Sequence, residues 1–152
     1  MTRKSQSVVQ ISSAGDPSDH LLSDAGKLVR EQKLPAATAA KVVPGLCREA
    51  VESACYEIVR ARRLGRGDSH ATVEEAISEP TTLVSRLALA IFDDAGKGGE
   101  VYAWLNKNIG SWAYDTVQTC NKGAHPGGSA FDAAGLVSDA RKLVEQLRGK
   151  LE

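Results

Sequence analysis

The chain is short of aromatic residues and of methionine: Phe, Trp and Tyr fill 5% of its 152 positions, and there is 1 Met. A core must therefore be built from Ala, Leu, Val and Ile. No stretch approaches the roughly 20 consecutive apolar residues needed to span a bilayer, so no membrane partner is expected. The basic opening Met1-Thr2-Arg3-Lys4 leads into no long apolar segment and does not read as a secretory signal. Cys47, Cys55 and Cys120 are odd in number and lack Cys-x-x-Cys spacing. They read as reduced thiols of a cytoplasmic protein, not as a disulfide framework. Net charge is absent as well. Lys and Arg total 19, as do Asp and Glu, which excludes a histone-like polycation and confines any nucleic-acid contact to a local patch.

Several chemical signatures are also missing. Gly96-Lys97-Gly98-Gly99 lacks the pattern and the preceding strand of a phosphate loop, and no GxSxG, HExxH or GxGxxG occurs. Cys47, Cys55, Cys120 and His125 match no zinc-finger spacing. No metal or other cofactor is expected.

What is present is ordinary for one soluble globular domain: 42% apolar and 25% charged residues in a chain long enough to hide roughly 68–70% of its unfolded surface. Residues 1–17 are Ser-rich, with one short apolar run (Val8, Val9, Ile11) and a turn at Gly15-Asp16-Pro17. They read as a flexible leader or linker, or as a strand that belongs with another domain. Residues 18–148 form the helical domain. Residues 149–152 read as a tail of cloning origin, and the chain as a domain cut from a larger protein.

Apolar residues in that domain recur with helical period. Ser18 is expected to cap a first helix carrying Leu21, Leu22, Ala25, Leu28 and Val29. Pro44 suits the first turn of a second, whose inner face holds Leu46, Cys47, Ala50, Val51, Ala54 and Ile58. Arg48, Glu52, Cys55 and Val59 share one edge of that face. Thr72 is expected to cap a short acidic helix, and Thr81 or Thr82 to open the one through Leu83, Val84, Leu87 and Ile91. The glycines of 94–99 predict a loop. Helices then follow through Trp104, from Ser111 to His125, and through Phe131 to Leu147. The fold class is all-α, a bundle of five or six helices.

Two spacings carry chemistry. Arg48 and Glu52 stand at i and i+4, on one helical edge. That is the spacing of an exposed helix salt bridge, and equally of a guanidinium held in place to grip a phosphate. Asn121 and His125 repeat the spacing where an apolar helix ends in Pro126-Gly127-Gly128. An imidazole there can cap the helix end or exchange a proton near neutral pH. Arg60, Arg62, Arg63 and Arg66 form the one dense basic cluster, either cations at a helix C-terminus or an RNA-backbone contact, with Lys122 a further RNA-facing cation. Trp104, Trp112 and Tyr114 serve as packing anchors or as platforms for bases.

These residues resemble the HEPN superfamily of ribonucleases, small helical bundles whose motif is an Arg, four to six residues, then a His. The window Cys120-Asn121-x-x-x-His125 keeps the polar residue and the His and puts Cys120 in the Arg position. The anticodon-nuclease branch, joined to ABC/SMC-like ATPases in phage defence, is the better likeness. Its Arg, followed four residues later by Glu, and its later His fit Arg48, Glu52 and His125.

The resemblance implies metal-independent RNA cleavage, with the ribose 2′-OH attacking the adjacent phosphorus to leave a 2′,3′-cyclic phosphate and a 5′-OH. His125 would move the proton, Arg48 would neutralise phosphoryl charge, Glu52 would fix Arg48 or share proton transfer, and Asn121 would position the phosphate or His125. It also implies a tRNA-like substrate, a homodimer and a parent or partner ATPase. The competing expectation is a catalytically silent helical module that dimerises or docks onto such a parent, with Cys120 marking a lost site.

Overall fold

The computed structural model describes residues 16–31, 33–123 and 131–152. Among them it is all-helical, with seven α-helices in chain order: α1 Pro17–Arg30, α2 Ala36–Gly65, α3 His70–Ser78, α4 Leu83–Phe92, α5 Val101–Asn108, α6 Ser111–Lys122 and α7 Ala133–Leu151. A 3-10 turn, Ala95–Glu100, takes the place of the loop expected from its glycines. The helix number exceeds the five or six expected. At Gly110 the backbone turns to φ 152 between α5 and α6, and an added Cβ would lie 3.0 Å from Trp112 Cδ1. A side chain there would strain the break.

The caps correct several sequence expectations. Asp16, not Ser18, caps α1 with Pro17 in its first turn, and Ser18 is buried with its hydroxyl donating to the Ala50 carbonyl at 2.7 Å. That bond ties the start of α1 to the middle of α2. Ser69, not Thr72, caps α3, accepting from the Thr72 backbone N–H. Thr82 caps α4 in a reciprocal box with Ser85. Pro44 lies inside α2 and not in its first turn. The Ala-rich segment before it has high helix propensity, so the helix continues across the one hydrogen bond that proline cannot donate to Ala40.

α2 is the spine, with 30 residues and a face of Val43, Cys47, Ala50, Val51, Ala54, Cys55, Ile58 and Val59 that is essentially sealed. Around it pack α1, α3, α4, α6 and α7. Alanines at 50 and 54 remove bulk from this face and let neighbouring helices approach, as a core nearly without aromatics requires. Trp104 and Trp112 are half-buried against the core, and Tyr102 and Tyr114 meet edge to face at 4.7 Å, so these aromatics are packing anchors. α7 extends through 149–151, and Leu151 packs against the core; the last residues continue the helix instead of forming a separate tail. No helix of the described residues is long and apolar enough to cross a membrane.

Candidate functional site

The edge of α2 that carries Arg48 and Glu52 is not open to solvent as an isolated helix pair would be. α4 lies over it, burying Leu83, Leu87, Ala88 and Ala90 and leaving Arg86 as the one charged side chain between its caps. Arg86 reaches across to Glu52. Both guanidiniums converge on a single oxygen, Glu52 Oε2: Arg48 donates through Nε at 3.3 Å, and Arg86 through Nη1 in a closer contact. The Glu52 side chain is 11% exposed, Arg86 21% and Arg48 31%. An exposed helix salt bridge is therefore the wrong description of Arg48 and Glu52. They belong to a half-buried cluster of two cations and one anion, with one positive charge in excess.

Its two arginines are used differently. Arg86 also lies 5.9 Å from the centre of the Tyr56 ring, within cation–π range. Its Nε is buried and has no hydrogen-bond partner among the described residues. An orphaned buried donor of this kind costs about 1–3 kcal/mol. Arg48 spends only its Nε on Glu52, and its two terminal nitrogens make no hydrogen bond within the described residues.

α6 packs against α2, and Cys120 near its C-terminal end feels the charges of Cys47 and Arg48. Burial raises the Cys120 thiol well above its ordinary range, with the neighbouring Cys47 adding to the effect and the charge of Arg48 opposing it. Burial pushes Cys47 up to about 12, and also Cys55 to about 12, there with Glu52 reinforcing and Arg86 opposing. All three thiols are free and buried, and that burial disfavours their charged form. Asn121, next to Cys120, is half-buried, and Lys122 is exposed. Gly123 ends α6 at φ 79, a left-handed conformation that glycine adopts without strain. His125 lies outside the described residues, and so does the helix end predicted around it.

Arg48 and Glu52 thus meet in one cluster, with Cys120 of α6 near enough for the charge of Arg48 to act on that thiol. The basic cluster is not part of it. From Arg48 to Arg60 the axis of α2 advances about 18 Å, and at that far end the arginines are engaged within the protein. Arg60 forms a two-bond pair with Glu74 at 2.9 Å. Arg62 donates to the Leu89 and Ala90 carbonyls, the last turn of α4. Arg63 and Arg66 both hold Asp93 at 2.8 Å, and Arg66 also reaches Asp68. Asp93 is the left-handed C-cap of α4, at φ 59. Burial works to raise its carboxyl pKa, but the hydrogen bonds from Arg66 and Arg63 outweigh that and hold it below the usual carboxylate range.

Two residues escaped the sequence reading. Arg86 had a visible signal, a lone charge within Leu83-Val84-Ser85-Arg86-Leu87-Ala88-Leu89, where a cation must find a partner or a ligand. Asp93 had none beyond following an apolar helix. Among the described residues no group of three or more His, Cys, Asp or Glu is placed to hold a metal ion. No family model, curated protein or solved structure matches this chain, so its site has only its own geometry for support.

Proposed function

We propose that this chain is a metal-independent endoribonuclease of the HEPN, anticodon-nuclease-like type, acting in the cytoplasm on tRNA-like RNA as the effector domain of a homodimeric defence ATPase. One observation supports the reading above the others: Arg48, with both terminal nitrogens unspent among the described residues, is held by a buried carboxylate and lies close enough to Cys120 of α6 for its charge to act on that thiol. A half-buried guanidinium held in this way presents two donors to one phosphoryl group without rearranging as charge builds up.

In this reading the 2′-OH loses its proton and attacks phosphorus, the 5′ oxygen leaves with a proton, and a 2′,3′-cyclic phosphate remains. His125 moves one of these protons. Arg48 neutralises charge on the non-bridging oxygens, and Asn121 orients the phosphate. Glu52, whose Oε2 receives two guanidiniums, orients Arg48 instead of sharing proton transfer. DNA binds and is not cut, because it lacks the nucleophile.

The test is incubation of the chain with total tRNA in EDTA, beside His125→Ala and Arg48→Ala. Cleavage to cyclic-phosphate ends is expected, falling about 10²–10⁴-fold on loss of the histidine and to background on loss of the arginine. Absence of cleavage by a folded, dimeric protein would instead favour the silent docking module, in keeping with a buried Cys120 at the motif's Arg position.

A further inference from the structure

We propose that Arg86 is a positioning residue for a phosphodiester site. It supplies the counter-charge to Glu52, so that Arg48 is held by that carboxylate without being consumed by it and keeps its terminal nitrogens for a phosphate oxygen. The inference rests on the proposed function only in taking the ligand to be a nucleic-acid backbone.

The geometry separates the two guanidiniums. Arg86 uses a terminal nitrogen on Glu52, its Nε is sealed in without a partner among the described residues, and it lies beside the Tyr56 ring. Of its terminal nitrogens it keeps only Nη2 unspent among the described residues, against two for Arg48. Arg48 is the more exposed of the two, 31% against 21%, and touches Glu52 through Nε alone. If Arg86 were absent, one carboxylate would face one guanidinium. The favoured arrangement would then be the fork in which Arg48 places two nitrogens on the two oxygens of Glu52. The local charge would fall from plus one to zero, and Arg48 would no longer be available. In this scheme the buried carboxylate sets the direction of Arg48, and Arg86 limits how strongly it draws Arg48 in.

The scheme predicts a pattern that neither a direct role nor a purely structural one reproduces. Binding of a 2′-O-methyl oligonucleotide of about 12 nucleotides to the full chain is followed by fluorescence anisotropy across a salt series. This probe cannot be cleaved, so a failure of the catalytic reading leaves the measurement intact. Arg48→Gln is expected to weaken binding roughly tenfold and to reduce the salt slope by about 0.7, the signature of one lost phosphate contact on a single strand. Arg86→Gln is expected to do the same, although it touches no phosphate.

The deciding comparison is between two charge-balanced double variants, each free of the buried carboxylate and so stable enough to fold even where Arg86→Gln alone is not. Glu52→Gln with Arg86→Gln is expected to regain wild-type affinity and slope, because Arg48 is no longer drawn in. Glu52→Gln with Arg48→Gln is expected to stay weak. Equal binding by the two doubles would overturn the proposal by showing that the arginines are interchangeable. Weak binding by the first double would make Arg86 a direct contact, and wild-type binding by a folded Arg86→Gln would make it structural. Failure of the unaltered protein to bind the probe would remove the site altogether.

Discussion

The two ends of α2 use the same residue types to opposite effect. Toward its middle, Arg48 and Arg86 share one buried carboxylate, and donors are left over. At its C-terminus, Arg62, Arg63 and Arg66 each place two or more nitrogens on Asp93, Asp68 or the carbonyls that end α4. The sequence-dense cluster is the internally satisfied one. The sparse cluster, closed by Glu52 and Arg86 from 34 positions apart, is the one that leaves donors unspent among the described residues. Cations packed along a chain segment attract the eye as a nucleic-acid patch, but at the end of a helix they complement the dipole and tie down the next element. What marks a ligand site is an imbalance between buried charges and the donors they consume.

The largest expected effect breaks the Glu52 end. Glu52→Ala leaves two guanidiniums half-buried around a void, and losing one member of a buried ion cluster is strongly destabilising. Because Arg48 and Arg86 keep some access to water, the expected loss is about 2–3 kcal/mol, read as a lower urea midpoint at unchanged slope. Glu52→Gln keeps the shape and an acceptor and is expected to lose less than half of that. A loss for Asp93→Ala as large as for Glu52→Ala would erase the distinction between the two ends.

The pattern of this cluster explains which parts of the molecule were legible in the sequence. Period alone reveals α2, because Cys47, Ala50, Val51, Ala54 and Ile58 are apolar at helical spacing and all are buried. Period cannot say which neighbour covers the edge beside that face, so Arg48 and Glu52 were visible as a pair and Arg86 was not. Caps were misread where two hydroxyl or carboxylate residues stood close together. Asp16 and Ser18 can each cap α1, and only the tertiary bond from Ser18 to Ala50 decides between them. Pro44 was misread for a related reason: nothing local forbids a proline at a helix start, and only packing of the whole spine carries the helix back to Ala36.

The Asp93 end sharpens the comparison through pH. Its carboxyl titrates below the usual range when folded, so its contribution is complete above the unfolded value near 3.9 and disappears as pH falls through the lowered folded value. Asp93→Asn is expected to lose about 1 kcal/mol at neutral pH. The difference from wild type should shrink as pH drops below about 4, where the unfolded carboxyl protonates first, and vanish once the native carboxyl is protonated too. Stability curves from pH 3 to 7 check this. A gap that stays constant, or widens in acid, would show that Arg63 and Arg66 do not hold the charged form.

The smallest expected effect concerns the most exposed pair of the C-terminal end. Arg60 and Glu74 are joined by two short hydrogen bonds, yet their side chains are 44% and 53% exposed. Water and salt screen such a pair, and two long side chains lose rotamer freedom in making it. Glu74→Gln is therefore expected to leave the urea midpoint unchanged within error. It frees Arg60 for external contacts, so oligonucleotide affinity is the more telling readout. If the C-terminal arginines of α2 are structural, a freed Arg60 some 18 Å along the helix from Arg48 adds only a weak, salt-sensitive gain. A gain that survives at high salt would mean that the RNA path runs the length of α2 and that Glu74 normally masks part of it.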